Sequence, residues 1–510
     1  METNHLLDAI EAELTQHRAF GDSEYIRGQV VRCLERRLHK ISPRIPVAEH
    51  LLDALSHAEC YTRYRVLGDS VVRCVIEHAL AQLEMESAYG LPLNECEEVL
   101  RETVRLVKDD KLDGPLESRV AAVSRLGTES YHGWVWSEEQ PDDIFGRSFR
   151  SIVQSNYGES LYTPNADEIE MLRKATRLLE DLLPSLSRSA LSHAQITAIF
   201  PANGKWKGRS SASQIRITGT FFLSRAGLDE PWYLAEHIFH EALHQKLYDF
   251  RLGHSVLEPS YLREDAPRIC SLWNEPSKLH NWDTHRAVAA FHVYVHLGLL
   301  CTIAERRASE LEAVYGRPKA MVGSRKSLER ARYLGEQIKE SCWEELGPAG
   351  KCLIDWLMSV LDALDASPPP ERSVVHLLLD RYEREAMRAT AVLGRIGPQG
   401  FDGEAKADIP RQLTDLVREE ANNVCCALSA VHAGENLNRF NHAIAQFSDA
   451  ELGVRFGEVR RIISRTLLDL SPDGRGYRLD GSDLESKRAE EIVRRMVESS
   501  SSRLENILAQ

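Results

Sequence analysis

The spacing of hydrophobic residues divides this chain into long helical segments and one short region of strands. Apolar residues recur at three- and four-residue intervals through most of positions 1–125, for example in EYIRGQVVRCLERRLHKI, and again beyond residue 300. The segments ITAIF (196–200) and QIRITGTFFLS (214–224) are instead rich in β-branched and aromatic residues, and the second alternates with a period of two. The pattern predicts a mostly α protein with a small α+β core.

A long helix is expected directly after these strands. Asp229 is a residue type that commonly caps helices, and Pro231 is well suited to a first helical turn, so we expect the helix to span residues 231–250. This segment contains the sequence His240-Glu241-Ala242-Leu243-His244. Residues four apart share one face of a helix, so both imidazoles can reach one divalent ion with Glu241 beside them. The strand GTFFLS before this helix resembles the strand beside the metal helix in zincin-type sites, so the motif and its context predict a metal site in a zincin-like α+β core.

Two histidines leave a metal shell incomplete, so a third ligand must come from another segment. His292 is our first candidate, because His285, Ala289, His292 and His296 form one stripe on an otherwise apolar helical segment. His296 is the next candidate, and His285 and His237 are expected to support ligands rather than bind. Glu264 has a spacing that a glutamate-ligand zinc peptidase would allow, although its surroundings are charged and loop-like. His254 does not fit the longer zinc motif, which also requires a glycine that is missing here.

Composition restricts the class of protein. The formal net charge of -14 argues against general nucleic-acid binding, which requires a basic surface. The first 16 residues are polar and amphipathic, with no secretory pattern, and the ten cysteines show no CxxC spacing, so we expect a cytoplasmic protein with reduced thiols. The apolar run at 287–304 contains His292 and His296 in its middle, which favours a buried helix over a membrane span.

The length of 510 residues predicts more than one domain. We expect an N-terminal helical region at 1–125, a metal-binding catalytic domain at 126–310 and a C-terminal helical region at 311–510. Residues 127–166 have the composition of a loop-rich stretch, and 397–410 that of a linker.

Residues 165–305 resemble the HExxH-motif domain family of iron- and 2-oxoglutarate-dependent peptide β-hydroxylases. The resemblance rests on a leucine-rich helix ending near a proline, the strands ITAIF and GTFFLS, the helix LAEHIFHEALHQKL, and a later run with Trp282, Arg286 and His292. Only the HExxH element is highly specific. The long flanking helical regions are outside the resemblance.

The resemblance implies Fe(II) held by His240, His244 and a third ligand, with His292 favoured. It further implies that 2-oxoglutarate chelates the iron and that dioxygen takes the open position, as in other non-haem iron oxygenases. Arg286 would hold the distal carboxylate of 2-oxoglutarate, since a guanidinium binds a carboxylate through two hydrogen bonds. Glu241 would orient a ligand or the substrate, which is expected to be a peptide or an amino-acid-derived compound.

Two alternatives stay open at the level of sequence. The first is a zinc metallopeptidase in which Glu241 is the general base and the strand at 218–224 pairs with an extended substrate. The second is a helical scaffold protein with a degenerate site.

Overall fold

A computed structural model describes residues 2–85, 90–109, 125–126, 133–139, 143–274, 281–319, 321–366, 368, 374–396, 404–468 and 484–508. It is mostly helical, with 73% helix and 5% strand, which confirms the predicted balance of elements. The helices are α1 Glu2–Gln16, α2 Ser23–Ile41, α3 Val47–Leu55, α4 Cys60–Leu67, α5 Ser70–Met85, α6 Leu93–Lys108, α7 Ile144–Tyr157, α8 Ala166–Leu182, α9 Pro184–Leu191, α10 Pro231–Gly253, α11 Thr284–Tyr315, α12 Ser324–Gln337, α13 Pro348–Leu364, α14 Val375–Ile396, α15 Glu404–Ala430, α16 Gly434–Ile444, α17 Asp449–Val454, α18 Phe456–Leu468 and α19 Leu484–Leu508. The strands are β1 Trp134–Val135, β2 Ile196–Phe200, β3 Ser211–Ser213, β4 Thr220–Ser224, β5 Ile269–Cys270 and β6 Asn281–Trp282.

The chain forms two compact units, each assembled from three separate stretches. The first unit contains Met1–Tyr261, Ala289–Leu328 and Glu344–Leu364, and the second contains Leu262–Val288, Glu329–Trp343 and Asp365–Gln510. This division is interleaved along the chain, unlike the three consecutive regions expected from sequence. The HExxH motif and the histidines of α11 at 292 and 296 belong to the first unit.

The first unit contains a four-stranded sheet in the order β1-β2-β4-β3. Strands β1, β2 and β4 run parallel, and β3 pairs antiparallel with β4 at the edge. Every residue of β2 and β4 is buried, as expected for strands covered on both faces.

The prediction of one strand over residues 214–224 is wrong in its first half. Residues 215–219 form turns, and only 220–224 form a strand. Gly219 has a φ of +80°, and a Cβ there would lie 2.8 Å from the Ser70 hydroxyl, so the turn requires glycine. The side chain of Gln245 on α10 accepts a hydrogen bond from the amide of Gly219 and donates one to the carbonyl of Thr220. Gln245 of the helix thus occupies backbone groups that a longer strand would have used for hydrogen bonds to a neighbouring strand.

Helix α10 confirms the helix expected at 231–250 and continues to Gly253. Its cap is Glu230 rather than Asp229, because the Glu230 carboxylate accepts the amide hydrogen of Tyr233. Residue 230 is extended, as a residue before proline prefers to be. The helix packs against α2, α8, α9, β3 and β4, which places it at the centre of the first unit.

Two other segments differ from the prediction. The stretch at 127–166, expected to be loop-rich, contains β1 and α7, and Asp143 caps α7 by accepting the amide hydrogen of Gly146 at 2.9 Å. Of the expected linker at 397–410, residues 404–410 belong to α15, and 397–403 lie outside the described residues.

Helix α11 is long and apolar enough to pass for a membrane span, with a mean hydropathy of 1.8 over 18 residues. However, 78% of that window is buried inside the protein. The helix is therefore a core helix, as predicted from its two central histidines.

Candidate metal site

The two motif histidines converge as metal ligands do. His240 and His244 lie one turn apart on α10, and their Nε2 atoms are 3.2 Å apart. Two nitrogens bound to one metal at ~2.1 Å, with an angle of roughly 100° between them, lie about 3.2 Å from each other. Helix α10 places both rings on one face, and the same contact has the geometry of a hydrogen bond between the two rings.

Both histidines of the pair are partly open to solvent. The His240 side chain retains 31% of its exposure, yet the surrounding protein atoms lower its pKa to about 4. The ring is therefore neutral at pH 7. Neutral imidazole is the form that binds metal ions.

Glu241 lies beside the pair but is itself only 2% exposed. Its Oε1 atom is 3.9 Å from Nε2 of His240, and its Oε2 atom is buried with no hydrogen-bond partner. Burial raises the pKa of the Glu241 carboxyl, and the nearby hydroxyls of Ser211 and Ser213 on β3 partly offset that rise. An unpartnered buried carboxylate oxygen is costly, which suits a position that meets a ligand.

His292, the favoured third ligand, is fully buried on α11 in the same unit. It is 3% exposed, its Nδ1 atom has no hydrogen-bond partner, and His296 donates from its own Nδ1 to the backbone carbonyl of residue 292 at 2.7 Å. Burial lowers the pKa of His292 well below its usual value, and the neighbouring His296, Lys246 and His244 lower it further. His292 is therefore a neutral imidazole close to His244.

The described residues nevertheless do not bring three ligands together. Among them, no group of three or more His, Cys, Asp or Glu side chains is arranged to hold a metal ion. The donors of the pair fit a metal in spacing and protonation, and the orphaned atoms of Glu241 and His292 fit a ligand nearby. The third ligand remains a prediction, with His292 favoured over His296.

The other candidates lie in less suitable surroundings. Glu264 is an exposed turn residue of the second unit. His254 ends α10, where its Nδ1 atom is bonded to the carbonyl of Phe250 at 3.0 Å. His237 is bonded through Nδ1 to the carbonyl of Tyr233 at 2.9 Å, and its ring stacks on that tyrosine.

Arg286 and His285 belong to the second unit, at the start of α11. The Arg286 guanidinium lies over the ring of Trp282 at 5.1 Å, and its backbone amide donates to Asp283 at 2.9 Å. Asp283 thereby satisfies a free amide of the first helical turn. The assignment of Arg286 to 2-oxoglutarate remains a prediction from sequence.

Sequence reasoning missed a buried polar cluster around Asp249, in the last turns of α10. The Asp249 carboxylate accepts hydrogen bonds from Tyr64 at 2.6 Å and His193 at 2.7 Å, and it forms a buried ion pair with Arg73. Burial raises the pKa of Asp249, but these three partners outweigh it and bring the pKa to about 2. The partners lie between 56 and 185 residues away in sequence, so no local motif marks them.

The cluster continues toward the surface. The Nε2 atom of His193 is 3.0 Å from the hydroxyl of Ser23, which is 2.7 Å from the hydroxyl of Ser189. Lys246, 1% exposed, donates to that Ser189 hydroxyl at 2.8 Å and to the carbonyl of Gly21 at 2.6 Å. Ser23 and Ser189 both line a cavity of about 960 Å³.

In comparisons with known protein families and with curated proteins, the chain matches no family model, and it matches no curated sequence significantly.

Proposed function

We propose that this chain is a metal-dependent oxygenase that binds Fe(II) through His240 and His244 and hydroxylates a peptide or amino-acid-derived substrate with 2-oxoglutarate. The observation that carries the proposal is the 3.2 Å separation of the two Nε2 atoms on one face of α10. The resemblance of residues 165–305 to HExxH-type peptide β-hydroxylases supplies the choice of reaction. When bound, Fe(II) with 2-oxoglutarate supplies the oxidising chemistry for hydroxylation by dioxygen.

Four residues have defined parts in this proposal. His240 and His244 bind the metal as neutral imidazoles, and His292 supplies the third nitrogen from α11. Nitrogen-only ligation of this kind leaves positions open for a chelating cosubstrate. Glu241 stays in place beside β3 and orients a ligand or the substrate through its unpartnered Oε2 atom.

The test is metal analysis of the full chain purified without oxygen, followed by turnover in air with 2-oxoglutarate. We expect about one iron per chain and formation of succinate that depends on iron. Stoichiometric zinc together with peptide cleavage would show that the protein is a hydrolase and not an oxygenase. Absence of any stoichiometric metal would reject both enzymes in favour of a scaffold with a degenerate site.

A zinc hydrolase is the second candidate, and the position of Glu241 favours it. The Oε1 atom lies 3.9 Å from Nε2 of His240, and Oε2 is free to accept a proton. A general base needs to lie within reach of the attacking water, which this position allows. The predicted pairing of substrate with the strand at 218–224 is wrong in this structure, because β4 already has β2 and β3 on its two sides. An extended substrate would pair with the edge strand β3 instead.

The variant Glu241→Gln separates the two reactions. It keeps the size and most of the shape of the side chain but removes its basicity. In a hydrolase the loss of a general base costs about 10²- to 10⁴-fold in turnover. In the oxygenase, succinate formation persists in the variant at a tenth of the original rate or more, because Glu241 only orients groups there.

A further inference from the structure

A hydrogen-bonded chain of three side chains begins at the cavity of about 960 Å³, and none of the three belongs to the proposed metal site. Ser23 lines this cavity at the first turn of α2. Its hydroxyl is 3.0 Å from Nε2 of His193, whose Nδ1 atom is 2.7 Å from Asp249. A hydroxyl, an imidazole and a buried carboxylate in this order are the arrangement that activates a serine for attack on an acyl group.

The hydrogen bonds around Asp249 fix where the protons lie. Arg73 and Tyr64 hold Asp249 in its ionised form, which only accepts hydrogen bonds. His193 therefore donates from Nδ1–H, and its Nε2 lone pair faces the hydroxyl of Ser23. Burial lowers the pKa of His193 to about 4, so this imidazole is neutral at pH 7 and its Nε2 atom carries no proton.

Both cationic and anionic side chains at the start of α2 line the cavity near Ser23, namely Arg27 and the carboxylates Asp22 and Glu24. Arg27 lines the cavity one helical turn after Ser23, so the two side chains share a face of α2. Its charge acts on His193, and its guanidinium lies over the rings of Tyr61 at 5.2 Å and Tyr64 at 5.7 Å. In the first turn of this 19-residue helix, the amides of Glu24 and Tyr25 already donate to the Asp22 carboxylate, which offsets the helix dipole there.

Ser189 is a competing partner for the Ser23 proton. Its carbonyl lies 3.0 Å from the Ser23 hydroxyl, the same distance as Nε2 of His193. The Ser189 hydroxyl receives a hydrogen bond from Lys246 at 2.8 Å, which makes Ser189 a second candidate nucleophile. Its hydroxyl, however, is not within hydrogen-bond distance of His193 in the contacts that the structure records, whereas that of Ser23 is.

We propose that Ser23, His193 and Asp249 form a second catalytic site, separate from the metal, that hydrolyses esters or thioesters of small acyl groups entering this cavity. The Ser23 oxygen bonds to the acyl carbon while its proton passes to Nε2 of His193. The bond to the alcohol or thiol then breaks, and that group leaves with the proton. A water oxygen then bonds to the acyl carbon while its proton passes to Nε2 of His193. The bond to the Ser23 oxygen breaks, Ser23 regains the proton and the acid leaves, so the net reaction consumes one water and needs no oxidant.

The test exposes the folded, full-length chain to a fluorophosphonate probe and maps the modified peptide by mass spectrometry. Hydrolysis of 4-nitrophenyl acetate is measured in parallel. We expect modification at Ser23, with its loss in Ser23→Ala, and a fall of at least about tenfold in esterase rate in both Ser23→Ala and His193→Gln. Circular dichroism and thermal unfolding establish that each variant is folded.

Ser192→Ala is the matched control, because Ser192 also lines the cavity but bonds to the carbonyl of Ser189 at 2.8 Å. It should keep both the modification and the esterase rate. Modification of Ser189 in place of Ser23, or an unchanged esterase rate in folded Ser23→Ala, would overturn the proposal. The proposal would also be overturned if the probe modified Ser23 of the folded chain no faster than Ser192.

Discussion

Two sets of buried polar groups, one beside the HExxH motif of α10 and one around Asp249, differ in their hydrogen bonding. On the motif face, Glu241 keeps an oxygen without a hydrogen bond, and His292 on α11 nearby keeps a nitrogen without one. On what we call the Asp249 face, further along the helix, Asp249 has three partners and Lys246 has two. One helix thus combines an unsatisfied polar surface with a satisfied one.

We interpret this difference as one between the proposed metal site, which would gain interactions on binding, and a polar cluster that is already assembled. Unpartnered buried polar atoms cost free energy, so they persist where binding a ligand returns the lost interactions. A fully bonded cluster fixes side-chain positions in advance, which is what a proton relay needs. We therefore expect the motif face to respond to added metal, and the Asp249 face to respond to loss of a single partner.

The largest expected effect is the difference in stability between two carboxylate-to-amide variants, Asp249→Asn and Glu241→Gln. Asp249→Asn leaves the Arg73 guanidinium buried without its counter-ion, and breaking a buried pair in this way costs about 3–5 kcal/mol. Glu241→Gln removes a buried carboxylate whose charged form is already disfavoured by burial, so its cost stays below about 1 kcal/mol. Urea unfolding of the metal-free proteins at pH 7 measures both. Equal losses would remove the distinction between the faces.

Acid should destabilise the Asp249 face next. The folded chain holds His193 at a pKa of about 4, against an ordinary value of 6.5. Between these values the unfolded chain binds more protons than the folded one, so stability falls as the pH drops from 6.5 to 4. The loss is about 3 kcal/mol for a shift of this size. A further loss follows between pH 3.8 and 2, where the unfolded chain protonates Asp249 while the folded chain keeps it ionised.

The measurement is urea unfolding at a series of pH values, with His193→Gln and His240→Gln compared. The side chain of His193 is fully buried, whereas that of His240 keeps 31% exposure and is partly solvated. Removal of His193 should therefore flatten the pH dependence more than removal of His240. The reverse order would show that the motif face carries the larger burial cost.

The parts of the fold that could be predicted from sequence are those with strong local signals. Strand β4 was expected from alternation with a period of two, β2 from its β-branched and aromatic residues, and α10 from the capping residue type at Asp229 and from Pro231 in the first turn. Strand β3 is Ser-Ala-Ser at the edge of the sheet, with no hydrophobic pattern to mark it. Helix α7 did carry a signal, since Ile144, Phe145, Phe149, Ile152 and Val153 are spaced as one helical face behind the cap Asp143.

The residues of the two sites likewise divide into those that the local sequence reveals and those that only tertiary packing brings together. His240 and His244 are recognisable because both belong to one helix, and helical geometry fixes their spacing. The Asp249 cluster joins α4, α5 and the segment after α9 to α10, and only tertiary packing brings these together. A buried aspartate late in a helix gives no sequence signal of which distant arginine and histidine will meet it.

The smallest expected effect is the response of the motif face to metal. A ligand present at a hundred times its dissociation constant stabilises the folded state by about 2.7 kcal/mol, and this gain should appear with Fe(II) or Zn(II) added to the original chain. His240→Ala and His244→Ala should each abolish metal binding and the gain, because each removes one of the two converging nitrogens. His292→Ala should weaken binding. His254→Ala is the matched control at the end of the same helix and should keep the full shift in thermal unfolding. Stoichiometric metal in either His240→Ala or His244→Ala would place the metal elsewhere and remove the motif face from the comparison.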